Sequence, residues 1–349
     1  MSGTTTTRPR PGADSNENAR RPGRPRGVRR ALGVALVGLG AFLIVAAGMI
    51  KFYAYPNLAQ APTNYESETN LAGQDVTVFN SDPDVLAPIV TDLAVSSRTI
   101  ADSGADAPDG VVVWVNSATV TMADGTVFQQ STERAAFDRV SGAATERAAS
   151  CEACDSWVEE TYTDTQGEEQ LRRENITRGG QIYKFPFDTQ KKDYLQWDGT
   201  LGEATTARFD GVTSIDGLKV YRFVQEIPSE VVDQREVPGS LFGSEEASVT
   251  ADVNYAMTRT LYIEPTTGAP VNRVEDRIQT MSYRGTTIDL FVGTVAYTSD
   301  QVAELVEDVK GTAPMLAGMQ GTFPLLALLL GVASVAGGLW LRRGGRATV

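Results

Sequence analysis

Two stretches of the chain lack the interleaving of apolar and polar positions that marks a surface element. Ala31 to Ile50 is a run of 20 residues without a charged, amide or hydroxyl side chain, and a helix rising about 1.5 Å per residue crosses a hydrocarbon core of about 30 Å over that length. Phe323 to Leu341, FPLLALLLGVASVAGGLWL, is a second run in which Ser334 is the one polar residue and Trp340 stands near the end. Arg29 and Arg30 precede the first run, and Arg342, Arg343 and Arg346 follow the second. The pattern predicts transmembrane helices over 31–50 and 323–341 of a two-pass plasma-membrane protein, with both termini cytoplasmic and residues 51–322 outside. A cleaved signal peptide is the other reading of the first run, and Ala59-Gln60-Ala61 supplies a small-x-small site. The apolar core exceeds the roughly 7 to 15 residues usual for such peptides, which favours a retained anchor. Gly33, Gly40 and Ala47 recur at heptad spacing, and Ala333 with Gly337 forms a small-xxx-small pair, so the two helices can approach closely.

From Asp75 onward the periodicity changes to short β-branched and aromatic runs cut by turn signals. Gly110 to Met122 leads through Ala123-Asp124-Gly125 into Thr126-Val127-Phe128, a hairpin pattern. TARFDGVTSI and LKVYRFVQEI are divided at Asp216-Gly217. Tyr255 to Ile263, Pro270 to Ser282 and Thr287 to Thr298 follow with short turns between them, as in an antiparallel meander. A Thr-x-x-Gln pattern at Thr298 and Gln301 then precedes Val302, Leu305, Val306 and Val309 at helical spacing, predicting an amphipathic helix near 299–311. The expected fold is a β-rich α+β extracytoplasmic domain over 51–322, a meander closed as a barrel or sandwich, held between the two membrane helices.

Charge sharpens the topology. Residues 1–30 carry eight Arg and two acids, a net +6, and read as a disordered cytoplasmic tail. Residues 342–349 carry three Arg as a second basic tail, while residues 51–322 hold 20 basic and 42 acidic side chains, a net −22. A chain of this charge distribution has the lipid bilayer as a partner and no nucleic acid.

Composition then removes most catalytic chemistry. The 349 residues include no histidine, which excludes Ser-His-Asp triads, Cys-His pairs and His-based zinc sites. Nothing singles out two of the many carboxylates for hydrolysis, and neither a calcium loop nor a glycine-rich phosphate loop occurs. The chain is read as a non-enzyme without metal or cofactor. Cys151 and Cys154 form a CxxC pair, and outside the cytoplasm such thiols oxidise. Glu152, Asp155, Glu159 and Glu160 around them would raise a thiolate pKa, so a structural disulfide is expected rather than a thiol-disulfide catalyst.

The segment Gly179 to Asp198, GGQIYKFPFDTQKKDYLQWD, is the most unusual in the chain. It crowds Tyr183, Phe185, Phe187, Tyr194 and Trp197 among Lys184, Lys191 and Lys192. Aromatics beside lysines in an acidic domain make a candidate ligand mouth, with Tyr183, Lys184, Phe185, Phe187, Tyr194 and Trp197 as candidate binding residues. Filling the core is the alternative use of such rings.

ERAAFDRVSG from Glu133, YKFPFDTQKKDYLQWD from Tyr183, DGLKVYRF from Asp216 and RTLYIEPTTG from Arg259 resemble stretches of an actinobacterial family of two-pass membrane proteins, often labelled the porin PorA family. The resemblance runs from about Arg30 to Arg343. It implies an accessory protein of cell-envelope biogenesis, connected with moving or assembling glycolipids. Two expectations follow. The outer domain binds or helps traffic an envelope lipid or glycolipid, or else serves as a scaffold for other envelope-biogenesis membrane proteins. Porin activity is not expected, because strands carrying Arg, Glu and Asp on both faces cannot present a lipid-facing apolar band and a lone helix pair encloses no pore.

Overall fold

The computed structural model describes residues 26–82, 84–145, 151, 154–163 and 168–343. Most of the Arg-rich tail expected over 1–30, and residues 344–349 of the second basic tail, lie outside the described residues. Four α-helices, α1 (Arg26–Met49), α2 (Tyr55–Leu58), α3 (Ser299–Ala317) and α4 (Phe323–Arg343), flank the strands in sequence. The chain divides into two compact units, one containing α1 and α4 and the other spanning Ile50–Phe323.

Two helical stretches, 27–58 and 299–343, are long and apolar enough to cross a membrane, and α1 with nearly all of α4 forms the helical unit. The α1 and α4 backbones touch. A methyl group built on Gly40 would lie 2.5 Å from the Gly331 carbonyl oxygen, and one on Gly33 would lie 2.9 Å from that of Gly338. The second helix thus meets the first through Gly331 and Gly338, whereas the Ala333–Gly337 spacing singled out in the sequence is not the one used: open space surrounds Gly337. The reason is phase, since Gly331 and Gly338 repeat at the same heptad interval as Gly33 and Gly40.

The second unit is one antiparallel sheet of twelve strands curled into a half-barrel. Its first six strands are β1 (Glu66–Asn80), β2 (Ala87–Ala101), β3 (Val111–Met122), β4 (Val127–Asp138), β5 (Trp157–Thr163) and β6 (Glu169–Asn175). The second six are β7 (Tyr194–Asp198), β8 (Glu203–Ile215), β9 (Leu218–Pro238), β10 (Ser248–Ile263), β11 (Pro270–Tyr283) and β12 (Thr286–Tyr297). The order β6-β5-β4-β3-β2-β1-β12-β11-β10-β9-β8-β7 joins two meanders along the β1·β12 seam. The β-rich antiparallel expectation holds; a two-layer sandwich is not the architecture. Twelve twisted strands do not stay flat, and bulges in β1, β8, β9 and β12 add curvature. At the β1 bulge, Gly73 and Gly293 leave room for Val76, whose methyls lie 2.7 and 3.0 Å from where their Cβ atoms would be.

Alternation sets the two faces. In β10 the residues Val249, Ala251, Val253, Tyr255, Met257, Leu261 and Ile263 are all buried, while Ser248, Thr250 and Thr258 between them are exposed. The outer face carries charge along its length, including Glu66 paired with Arg98, Arg208 paired with Glu226 at 2.7 Å, and Arg222 paired with Asp210 at 2.6 Å. Helix α3 begins at Thr298, whose hydroxyl accepts from the Gln301 N–H at 3.2 Å. The Gln301 side chain does not complete the box; its oxygen takes the Asn70 N–H at 2.8 Å and so ties the helix to β1. The helix runs on to Ala317, past the 299–311 expected, because Val306, Val309 and Ala313 continue its apolar stripe onto Val220 and Val271.

Candidate functional site

The aromatic segment lies across one end of the curl. Phe185 donates its N–H to the Gly268 carbonyl at 2.8 Å, Asp188 to Thr266 at 3.1 Å and Thr189 to Pro265 at 2.7 Å, which fixes the segment on the turn after β10. That turn is held by Glu264, whose carboxylate accepts from the Thr266 and Thr267 N–H groups at 3.0 and 2.8 Å. On the other side Phe187 donates to Val140 at 3.1 Å. Gly268, at φ +72°, must lack a side chain, because a Cβ there would lie 2.1 Å from the Phe185 carbonyl oxygen. Single bridges, Phe137 to Ala144, Ala143 to Gln181 and Gln181 to Gln196, carry hydrogen bonding from β4 round to β7. Among the described residues the half-barrel is therefore joined into a ring at this end alone.

Of the six residues singled out in the sequence, Tyr183 joins one core while Phe185 and Tyr194 join another. Tyr183 packs on Trp114 and Phe137 with ring centroids 5.5 and 5.6 Å apart, beneath Tyr65 stacked on Trp114 at 4.2 Å. Phe185 is 2 % exposed and meets Phe223 at 4.7 Å and Tyr194 at 5.3 Å. Trp197 is buried in β7 with the Arg178 guanidinium 5.6 Å from its ring centre. Lys184 donates from Nζ to the Phe185 carbonyl at 2.6 Å and lies 3.9 Å from the Phe187 ring centre. Burial lowers its pKa to about 7, against the opposing pull of Asp138. Cys151 and Cys154 are joined by a disulfide, Cα to Cα 5.3 Å, and pack with Val113 and Ala136.

Next to this plug the covered face of the sheet carries a polar belt that the sequence reading did not single out. Arg259 is its centre. Its Nε donates to Glu275 at 2.6 Å, Nη1 to Gln225 Oε1 at 2.7 Å and to the Trp197 carbonyl at 3.2 Å, and Nη2 to Asp198 at 3.1 Å. Tyr255 also donates to Asp198, at 3.1 Å. Burial alone would raise the Glu275 pKa; Arg259 and Arg273 overcome it and hold the carboxyl at about 2. Burial likewise opposes the Arg259 charge, and Glu275 and Asp198 keep it firmly protonated. The belt continues on the other meander. Register aligns Ser67, Thr99, Asn116 and Glu133 across β1 to β4, Asn116 donates to Ser97 and Thr99 at 2.6 and 2.8 Å, and Arg178 meets Glu133 at 2.8 Å. Arg259 was detectable in the sequence as the one charge on the otherwise apolar phase of β10.

A curled antiparallel sheet with an ion-paired, hydroxyl-rich inner belt, in a chain with two membrane-length apolar helices, defines a β-rich membrane-associated protein. Residues 32–340 match the family model described as Porin PorA, and the chain belongs to that family. It is also 24% identical over 301 residues to the Porin PorA of Corynebacterium amycolatum, covering 71% of this chain and 77% of that one.

Family membership corrects two expectations. The outer domain was expected to bind or traffic a lipid or glycolipid, with porin activity set aside; the family is named for porins. Porin activity was set aside on the ground that a porin crosses the membrane with lipid-facing strands. The covered face carries Arg259, Glu275, Gln225 and Glu133, polar groups that break the apolar surface a lipid carrier would present.

Proposed function

We propose that this chain is a non-enzymatic, channel-forming protein of the cell envelope whose curled sheet lines a passage for small polar solutes. The observation that carries the reading is the belt of Thr99, Asn116, Glu133, Arg178, Gln225, Arg259 and Glu275 on the covered face. Charged and hydroxyl-bearing side chains of this kind are what the lumens of porins display. The outer face, with Glu66, Arg98, Arg208 and Glu226, suits water rather than lipid, so α1 and α4 supply the membrane crossing, and because one helix pair encloses no pore, the passage through the hydrocarbon is lined by the helix pairs of more than one copy. Their arginine flanks favour a two-pass arrangement with both termini cytoplasmic and the sheet outside.

Reconstituting the full chain into liposomes tests the reading. Neutral sugars should enter at rates that fall with their size and leave large dextrans excluded. Influx equal to that of protein-free liposomes would overturn it.

A further inference from the structure

Among the described residues the ring is complete at the plugged end alone. Away from it, β7 stops after five residues and β9 continues beyond β8, which it last meets at Gln225 opposite Ala207. From Glu226 to Pro238, β10 is the strand partner of β9 among the described residues. At the opposite edge, β6 has β5 as its strand partner. A slot in the wall thus lies between the β6 edge and the far half of β9. Both edges carry an exposed aliphatic, Leu171 at 65 % and Val231 at 54 %, where edge strands ordinarily avoid one.

We infer that this slot is closed by a second copy of the same chain, β6 of each copy pairing antiparallel with β9 of the other about a two-fold axis along the curl. The inference deepens the channel reading and rests on it for the need to seal the wall. Direction permits it, because β6 and β9 run oppositely in the all-antiparallel order. Face permits it too. Arg172 stands opposite Glu160, in the row that leads through Ser131, Ala118 and Ser97 to Thr69 on the covered face. Glu230 stands opposite buried Tyr255, also on the covered face, while Leu171 and Val231 lie on the outer one.

One register satisfies all of these. Setting Leu171 against Val231 sets Arg172 against Glu230, so that an aliphatic pair forms outside and an ion pair forms inside. Arg172 has Glu174 at 3.4 Å, with both side chains about half exposed, so it can turn to a partner at little cost. The like-charge opposition in this register, Glu169 with Asp233, is moderated by Arg235 at 3.2 Å from Asp233. Pro228, which has no N–H to offer, ends the paired stretch. Repeating the seam by symmetry joins two half-barrels into one closed wall, an isologous dimer that leaves neither edge open.

Two differently tagged full-length chains, one with Leu171→Cys and the other with Val231→Cys, are co-expressed in membranes and oxidised. The native pair stays bonded and buried. A disulfide between the two tags is expected at several-fold the yield of either variant with itself. Arg172→Glu in the first chain should lower that yield about ten-fold, and Glu230→Arg in the second should restore it. Absence of the mixed crosslink, indifference to the charge swap, or a bond within one chain carrying both cysteines would overturn the inference. The crosslink is read without conduction: a crosslinked dimer that passes no solute contradicts the channel and leaves the seam standing, and solute flux without a crosslink does the reverse.

Discussion

Replacing Arg259 by Leu removes the cation that holds the polar belt together. Its guanidinium makes four hydrogen bonds with side chain 12 % exposed, and its two carboxylate partners, Asp198 and Glu275, are 2 % and 20 % exposed. Deleting one partner of such a buried network strands the others, at about 3–5 kcal/mol. For a domain of this size each kcal/mol moves Tm by roughly 2–4 °C, so the variant should melt on the order of 10 °C below the parent. Arg98→Leu is the matched control. Arg98 pairs with Glu66 with both side chains more than half exposed, and such a pair contributes about 0–1 kcal/mol. Acidity adds a second check. The parent keeps Glu275 ionised down to about pH 2, and the stability this gives is present above the ordinary carboxylate range and lost as pH falls towards 2. Without Arg259 the carboxyl keeps Arg273 at 3.5 Å but loses the largest charge that opposes burial, so it takes up a proton at a higher pH than in the parent, and the gap between variant and parent should be wide at pH 7 and narrower at pH 4. Thermal melts of the full chain in detergent, followed by tryptophan fluorescence, measure both. Equal losses for Arg259→Leu and Arg98→Leu, or a gap independent of pH, would refute the reasoning.

Gly268→Ala must place a Cβ at 2.1 Å from the Phe185 carbonyl oxygen at a positive φ; a loss of about 1–3 kcal/mol is expected by chemical denaturation, and a neutral change would mean the segment is loosely held. Gly40→Leu drives a side chain into the Gly331 carbonyl, 2.5 Å from the new Cβ, so cysteine crosslinking between α1 and α4 should fall several-fold relative to the parent. Replacing Cys151 and Cys154 together by Ser opens a loop of sequence separation 3 and should cost roughly 2 kcal/mol, read as a lowered Tm with solute flux retained. Lys184 is held at about pKa 7 by burial, so between pH 7 and 10.5 the unfolded chain binds a proton that the folded chain lacks, and stability rises with pH through that window. Lys184→Met should therefore raise Tm most at pH 6, with the gain shrinking by pH 10; a gain that grows with pH would contradict the assigned burial.

The second meander was readable because each hairpin announced itself. Asp216-Gly217 and Arg284-Gly285 both adopt positive φ in the turns that separate β8 from β9 and β11 from β12. Thr298 did cap α3. The first strands were harder. In β1 the covered face begins with Ser67 and Thr69 opposite Glu66 and Glu68 on the outer one, so its first half has no apolar alternation to detect, and β5 and β6 are charged on both faces. The joining of β1 to β12 depends on residues more than two hundred positions apart, which local pattern cannot encode. The belt was missed for a related reason. Arg259 breaks the apolar phase of β10, but Glu275, Asp198 and Gln225 come from three other strands, and each looks like an ordinary surface residue until register brings it to Arg259. The aromatic segment was noticed, but its composition could not say that Tyr183 and Phe185, two residues apart, would enter different cores.

The central claim is that the chain conducts. Purified full-length protein added to a planar lipid bilayer should produce discrete, repeated current steps in a simple salt, with step size scaling with bulk conductivity as expected of a water-filled passage. A bilayer that stays silent at protein densities where insertion is verified by protease protection, or that shows only irregular leakage, would contradict the account.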